Sequence, residues 1–269
     1  MSKLYIVGTP IGNLSDITYR AIEVLSSVDL IACEDTRHTR ILLDKYNIHC
    51  PLYSYYKQKE KEGTEELIRY LDNGRTIALV TDAGMPCISD PGAVLIKELI
   101  ARGHEVESVP GPTAVTTAMS MSGIISNGFT FLGFLPEKKK DKLALLAPHV
   151  NSNVPLVFYC APHDLEKTIA FLYETLGNRN LTSVKELTKL HETVYKGTLE
   201  TPNIYNERGE FVLIVEPQET PSGEDVDVKS ELESLLNKGM TRSQAVKEIV
   251  KRYNLNKNDV YAISLTIDD

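Results

Sequence analysis

The sequence predicts an α/β protein with parallel strands, organised as two domains followed by a small helical appendage. Short runs rich in β-branched and aromatic residues alternate with longer stretches of helical period, which is typical of this class. Loops rich in glycine and proline follow several of these runs. The 269 residues, 42% apolar and 25% charged, are enough chain for more than one core.

The first half of the chain is predicted to alternate four strands with four helices. The strands are expected near residues 3–7, 29–33, 76–81 and 105–109, and the helices near 17–27, 36–46, 63–73 and 91–102. The last helix has the clearest ends, because Asp90 precedes a proline at the first helical position and Gly103 follows the last turn. Residues 1–112 are expected to form the N-terminal domain.

A second α/β domain is predicted over residues 113–220, with closely spaced strands that indicate a partly antiparallel sheet. Its helices are expected near 113–122, 138–147 and 163–176, and its strands near 129–134, 155–160, 181–186, 193–198 and 211–215.

The composition changes after this second domain. Residues 216–233 hold seven acids and one lysine, together with two prolines and a glycine, so an acidic linker is expected over 221–237. Thr241 and Gln244 then have capping-box spacing, and an apolar stripe follows them. A helix-turn-helix-like tail is expected over 238–269.

Three loops follow predicted strands and share a glycine- and proline-rich character. They are GTPIGNL (8–14), TDAGMPCISDPG (81–92) and VPGPTA (109–114). Because ligands of α/β sheets bind at the carboxyl ends of the strands, the loops are expected to converge on one site. None contains a P-loop or a G-x-G-x-x-G fingerprint. A ligand role is expected for Asp82, whereas Asp90 is expected to cap a helix.

These three loops, together with EDTR (34–37) and ELTKLHE (186–192), resemble the tetrapyrrole methylase superfamily in the same order, over about residues 1–220. The resemblance implies a two-domain class III methyltransferase with S-adenosylmethionine in the cleft between the domains. The second loop departs from the common pattern, because Thr81-Asp82-Ala83-Gly84 stands where many members have Gly-Asp-Pro: the acid is kept but the glycine is moved. The implied cofactor contacts are Pro10, Asp82, Gly84, Met85, Thr113 and Ala114 from one side, and Tyr159, Cys160, Leu187 and Val212 from the other.

Within that superfamily the motifs are most similar to the branch that methylates the 2′-hydroxyl of a cytidine in the decoding region of 16S rRNA. The resemblance therefore also implies a small-subunit partner and a homodimer. Two alternatives remain: a methyltransferase of tetrapyrrole biosynthesis that uses the same cofactor, and a non-catalytic rRNA-binding assembly factor. The EDTR and ELTKLHE segments and the basic tail favour the first interpretation.

A ribose hydroxyl is a weak acid, so a nearby base would help its attack on a methyl group. Polar side chains in EDTR and ELTKLHE are the candidates. Arg37 and Lys189 could instead bind the target phosphate, since arginine suits that geometry. The candidate catalytic residues are Glu34, Asp35, Arg37 and Lys189, with His191 and Glu192 as further possibilities or as a solvated helix end.

The net charge of −8 argues at first against a nucleic-acid partner. Seven acids and one lysine give residues 216–233 a net of −6, however, and six bases against Glu248 give residues 238–257 a net of +5. Lys138, Lys139, Lys140 and Lys142 form a second basic cluster. Either cluster is an RNA footprint or a solvated face.

The tyrosines, the cysteines and the lengths of the apolar runs each give one further expectation. Tyr53, Tyr55 and Tyr56 adjoin lysines and could stack on splayed bases, or belong to a strand edge. The four cysteines are isolated and no histidine has metal-ligand spacing, so reduced thiols and no metal site are expected. Because no apolar run approaches 18 residues, a cytoplasmic protein without membrane spans is expected.

Overall fold

The computed structural model describes residues 2–205, 208–218, 227–253 and 255–267. The chain divides into two compact units, Met1–Glu216 (unit 1) and Pro217–Asp269 (unit 2). Unit 1 contains two five-stranded sheets. The boundary at residue 112 within it stays a prediction.

The first sheet of unit 1 is entirely parallel, as predicted, with the order β3-β2-β4-β1-β5. The helices cover both faces, and this is why β2 and β4 are buried along their whole length. The order also sets β2, β4, β1 and β5 side by side, so the loops after these strands share one edge. The strands are β1 (Lys3–Val7), β2 (Leu30–Cys33), β3 (Leu52–Ser54), β4 (Ile77–Leu79) and β5 (Glu105–Val109), and the helices are α1 (Tyr19–Ser27), α2 (Thr36–Lys45), α3 (Glu60–Asp72) and α4 (Ala93–Ala101).

The second sheet of unit 1 is mixed, with the order β6-β7-β10-β8-β9. Only β6 and β7 pair in parallel, which confirms the partly antiparallel prediction. Its central strand β10 is fully buried, with Leu213 in the core under α7 and Val212 in the core that faces α5. The elements are α5 (Ala114–Ser122), β6 (Thr130–Phe134), α6 (Lys139–Leu146), β7 (Leu156–Cys160), α7 (Leu165–Leu176), β8 (Asn180–Lys185), β9 (Thr193–Thr198) and β10 (Phe211–Val215).

Strand β3 was not predicted, because its three residues are too few to show a period. It leads into Tyr55, which is 1% exposed and shares a 3.0 Å hydrogen bond between its hydroxyl and that of Thr64. The Tyr53 hydroxyl donates to the Glu66 carboxylate at 2.8 Å. The proposed stacking on bases is therefore wrong for Tyr55, whose ring is a core residue.

The start of α4 also differs from the prediction. The helix begins at Ala93, and its cap position is Gly92, with φ +134° and its N–H donating to the Glu60 carboxylate at 2.9 Å. A Cβ on Gly92 would lie 2.5 Å from the Cys87 sulfur, so the loop is wound too tightly there for another residue. The expectation that Asp90 caps this helix was wrong, because Gly92 holds the cap position.

Unit 2 consists of three helices around a shared apolar core: α8 (Val228–Asn237), α9 (Arg242–Tyr253) and α10 (Lys257–Ser264). The linker prediction was wrong for residues 228–237, because Val228, Leu232 and Leu235 recur at helical spacing and face this core. Five of the seven acids of residues 216–233 precede this helix, so the acidic composition of the segment concealed the apolar period that begins at Val228. Residues 221–226 lie outside the described residues.

Candidate functional site

The loops after β1, β4 and β5 meet at the carboxyl edge of the first sheet, as their positions predicted. Thr9 and Gly84 exchange backbone hydrogen bonds of 2.9 and 3.1 Å, and the Gly8 N–H donates to the Val109 carbonyl at 3.0 Å. A Cβ on Gly8 would lie 2.7 Å from the Cα of Gly111. The loops therefore touch backbone to backbone, and glycine is required at the contact.

A cavity of about 670 Å³ opens beside these loops, within unit 1. Residues of the three loops form one wall, and residues in or next to β6, β7, β8 and β10 form the other. Its lining is mostly apolar and includes the carboxylates of Asp82, Asp90 and Glu210. The described lining residues include no lysine or arginine, so the cavity favours an apolar ligand that carries positive charge.

Most of the cofactor contacts implied by the resemblance line this cavity. Pro10 does not line it, although the neighbouring Ile11 does. The cofactor role of each residue stays a prediction, but the structure brings them to one place from both sheets. The residues that line the cavity are Asp82, Gly84, Met85, Thr113, Ala114, Tyr159, Cys160, Leu187 and Val212.

Several lining residues were not predicted: Ile88, Asp90, Phe134 and Glu210. Asp90 carried a misleading signal, because the following proline is typical of a helix start. No sequence signal pointed to Phe134, because a phenylalanine at the end of a strand is typical of a core residue. Only the side-by-side packing of the two sheets of unit 1 shows that these side chains share a cavity.

The EDTR segment follows β2 and lies next to the loop after β4. The Asp35 N–H donates to the Asp82 carboxylate at 3.2 Å, which joins the two loops. Burial raises the pKa of Glu34 above its ordinary value, and the negative charges of Asp90 and Asp82 add to this. Burial also raises the pKa of Asp90. Glu34 is thus held in a region where it binds a proton more readily than a solvated carboxylate does.

Asp35 and Arg37 differ from Glu34, because their side chains form an ion pair with each other. The Asp35 carboxylate accepts hydrogen bonds from the Arg37 guanidinium and backbone N–H at 2.8 Å each and caps α2. The hydrogen bond from the Arg37 side chain holds the pKa of Asp35 well below its ordinary value, so this carboxylate is a weak base. The Arg37 side chain is 89% exposed and is not among the cavity-lining residues.

Lys189 connects the ELTKLHE turn to the cavity wall. Its ammonium lies 2.9 Å from carboxylate oxygens of both Glu186 and Glu210, and Glu210 lines the cavity. Burial alone would lower the pKa of Lys189, but hydrogen bonds to the two glutamates outweigh it and raise the pKa. The Glu192 carboxylate accepts the Thr188 N–H at 2.6 Å, so Glu192 stabilises the turn. Lys189 is a charged, positioned group rather than a base.

The same turn packs against the first loop. Glu186 and Thr188 have φ values of 52° and 62°, in the left-handed region that non-glycine residues rarely adopt. A Cβ on Gly12 would lie 2.5 Å from the Leu187 carbonyl oxygen. The strained turn is therefore held by direct contact with the loop after β1, and the cavity is closed on that side.

The described part of the chain contains no group of three metal-ligating side chains. None of its helices is both long and apolar enough to cross a bilayer.

Comparison with known proteins identifies the class of fold. The family model described as Tetrapyrrole (Corrin/Porphyrin) Methylases matches residues 3–203, and the chain belongs to this family. The structure is similar to that of the methyltransferase CobJ, with TM-score 0.63 and 18% identity over 81% of this chain and 95% of that one. It is also similar to uroporphyrin-III C-methyltransferase from Thermus thermophilus complexed with S-adenyl homocysteine, with TM-score 0.59 and 18% identity over 79% and 97%. The structural similarities confirm the predicted fold class. Membership of this family of methylases confirms the predicted cofactor, S-adenosylmethionine.

Curated relatives then narrow the family. A protein of Synechocystis sp. is 41% identical over 100% of this chain and 99% of its own length, and one of Bacillus subtilis is 41% identical over 97% and 93%. One of Thermotoga maritima is 42% identical over 81% of this chain and 100% of its own length. All three are named ribosomal RNA small subunit methyltransferase I, and the chain belongs to that family within the tetrapyrrole methylases.

Proposed function

We propose that the protein transfers a methyl group from S-adenosylmethionine to the ribose 2′-hydroxyl of a cytidine in the decoding region of 16S rRNA, within the small ribosomal subunit. The observation that carries this proposal is identity of about 40% along nearly the whole chain to relatives named for methylation of small-subunit RNA. A tetrapyrrole substrate and a non-catalytic assembly role are the alternatives that experiments must separate.

The cavity supports the cofactor part of the proposal. S-adenosylmethionine supplies an electrophilic methyl group on a sulfonium, and it carries a second positive charge on its ammonium. A cavity of about 670 Å³ is within the range of small-molecule sites. Asp82 and Asp90 offer it negative charge, and Gly84 and Ala114 offer close backbone approach. These side chains would hold the cofactor without a metal.

The chemistry then needs positioning, exclusion of water and removal of one proton. Holding two reactants in place is worth roughly 7–11 kcal/mol in favourable cases. The apolar lining excludes water from the reacting groups. Glu34, next to the Asp82 loop and with a raised pKa, is the group proposed to accept the 2′-hydroxyl proton. Lys189, paired with both Glu186 and Glu210, is proposed to position Glu210 at the wall of the cavity.

Two measurements test this function against its alternatives. Calorimetry with S-adenosylmethionine should show binding, and its absence would favour a non-catalytic assembly role. Transfer of labelled methyl to small subunits from cells that lack the modification, followed by nuclease mapping, should place the label on RNA. Transfer to a tetrapyrrole precursor but not to subunits would contradict the proposal.

Unit 2 offers a surface for the RNA partner. A groove formed by α9 and the turn before it is lined by Lys238, Lys247 and Lys251. Among the described residues, none of these three ammonium groups has an ion-pair partner. Arg242, in contrast, bonds the Ser264 and Ile267 carbonyls at the end of α10, and Arg252 pairs with glutamates. The three lysines are therefore bases of this groove that are free to bind phosphates.

Neutralising this groove should weaken binding to the subunit. In a variant with Lys238, Lys247 and Lys251 changed to glutamine, affinity should fall and the slope of log affinity against log salt should be shallower by about 2, because each phosphate contact contributes roughly 0.7–0.9. Filter binding across a salt series measures this. The control changes Lys45, Lys97 and Lys229, exposed lysines elsewhere, to glutamine. Equal slopes in the two triple variants would remove the groove from the RNA interface.

Two properties implied by the resemblance remain part of the proposal. We propose that the protein acts as a homodimer in the cytoplasm, where its subunit substrate is found. Light scattering that gives the 30.0 kDa mass of a monomer would contradict the dimer.

A further inference from the structure

Phe134 is a cavity-lining residue with an exposed ring. It ends β6, lines the cavity of unit 1, and is 58% exposed. Its ring packs edge-on against Tyr159, with 5.5 Å between the ring centroids, and Tyr159 in turn contacts Phe131 at 4.8 Å. The ring is thus fixed on one side by aromatic packing while a large part of its surface remains open at the cavity.

The backbone around Phe134 directs it to this position. The pairing of β6 with β7 shifts register between Phe131 and Gly133, and Gly133 has φ +66°. A bulge of this kind changes the direction of the side chain that follows it. A Cβ on Gly133 would lie 3.7 Å from the Ser89 hydroxyl, so β6 and the loop after β4 meet here.

A second exposed apolar side chain stands on that neighbouring loop. Ile88 is 61% exposed and lines the same cavity. Phe134 and Ile88 therefore lie on the two elements that meet at Gly133 and Ser89. A flat ligand that enters the cavity between these elements would meet an aromatic ring and a branched aliphatic chain.

Positive charge follows Phe134 closely in the chain. Lys138 comes four residues later, so its Cα lies within about 14 Å of that of Phe134. Lys139 is 3.7 Å from the Glu174 carboxylate, and Lys142 lies over the Phe171 ring. Lys138 and Lys140 are exposed and have no ion-pair partner among the described residues. A ring followed within a few residues by two free ammonium groups suits a base and the phosphates of its strand.

We propose that the base of the target nucleotide stacks on Phe134, with Ile88 on the opposite side, while Lys138 and Lys140 bind the phosphates that flank it. This inference rests on the proposed function, because it assigns the RNA-binding part of the same site. It makes Phe134 a positioning residue, which brings the ribose to the cavity without taking part in the transfer. The lysine groove of unit 2 is a separate contact.

Single-turnover methyl transfer to unmodified small subunits, at saturating S-adenosylmethionine, tests the stacking. In Phe134→Leu the side chain keeps most of its apolar volume but loses its aromatic face. The subunit concentration for half-maximal rate should rise on the order of tenfold, about the effect of stacking one base. Phe134→Tyr should restore the wild-type value, and the saturating S-adenosylmethionine keeps any change in cofactor affinity out of the comparison.

The proposed phosphate contacts are tested by changing Lys138 and Lys140 to glutamine. The slope of log subunit affinity against log salt should then become shallower by about 1–2. The same change at Lys45 and Lys97 is the control. If Phe134→Leu behaves as wild type, or if its oligomeric mass changes, the inference is overturned. The proposed function still stands in that case, provided that the wild-type protein transfers methyl groups to subunits. Absence of transfer by the wild-type protein would overturn both.

Discussion

Gly8→Ala is expected to weaken S-adenosylmethionine binding by roughly 10–100-fold and to lower the free energy of unfolding by about 2–3 kcal/mol. The new Cβ would lie 2.7 Å from both the Gly111 Cα and the Met85 sulfur. Because one of these neighbours is backbone, the loops after β1 and β5 must separate to admit the methyl group. That separation moves one wall of the cavity.

Calorimetry with the cofactor and denaturant unfolding measure the two effects. Gly128→Ala is the matched control, because no atom lies within 4 Å of a Cβ built there. Its affinity and stability should stay close to wild type. If Gly8→Ala also binds the cofactor with wild-type affinity, the contact between the loops does not shape the binding site.

Glu34→Gln is expected to slow single-turnover methyl transfer by on the order of 10²–10⁴-fold, which is the usual contribution of a general base. The amide keeps the shape of the side chain but cannot accept the proton. Cofactor affinity should change little, because Glu34 is not among the residues that line the cavity. Rapid-quench measurement with labelled S-adenosylmethionine gives the rate.

The pH dependence gives a second test of Glu34. Only its ionised form accepts a proton, so the wild-type rate should rise with pH through its raised pKa, and this rise should vanish in Glu34→Gln. The raised pKa of Glu34 affects folding stability in the opposite direction, because stability falls as pH rises. A carboxyl whose pKa is raised in the folded protein binds its proton more tightly there, so its contribution to stability falls as pH rises through that range. Glu34→Gln should therefore flatten the decline in stability as well.

Asp35→Asn is the control for this assignment. Asparagine caps helices about as well as aspartate, so α2 should remain intact and the transfer rate should stay near wild type. The lowered pKa of Asp35 is consistent with its pairing to Arg37 rather than with proton transfer. Wild-type rates in both Glu34→Gln and Asp35→Asn would show that neither acid is the base.

The sequence was sufficient to predict which loops form the site but not how the strands are ordered. Glycines and prolines after three parallel strands indicate convergence, because parallel strands end at one edge. Nothing in the chain shows that β2 lies beside β4, and it is this neighbour relation that brings Glu34 close to Asp82. Strand order depends on contacts between residues far apart in sequence, which local patterns do not record.

The predictions that were wrong or missing also trace to features that local sequence patterns do not record. Asp90 has the neighbours of a helix cap, and only the tight turn at Gly92 moves the helix start past it. Helix α8 was missed because most of the acids of residues 216–233 precede it, and they made the whole segment resemble a linker. Phe134 has an ordinary strand context, and its exposure follows from the bulge at Gly133 and from the second sheet's position beside the Ser89 loop. Each of these properties depends on tertiary packing.

Mapping of 2′-O-methylation at nucleotide resolution in 16S rRNA, from cells with and without the protein, tests the central claim most directly. One cytidine in the decoding region is expected to lose its methyl group when the protein is absent, and to regain it when purified protein and S-adenosylmethionine are added to the isolated subunits. An unchanged methylation map in cells lacking the protein would contradict it.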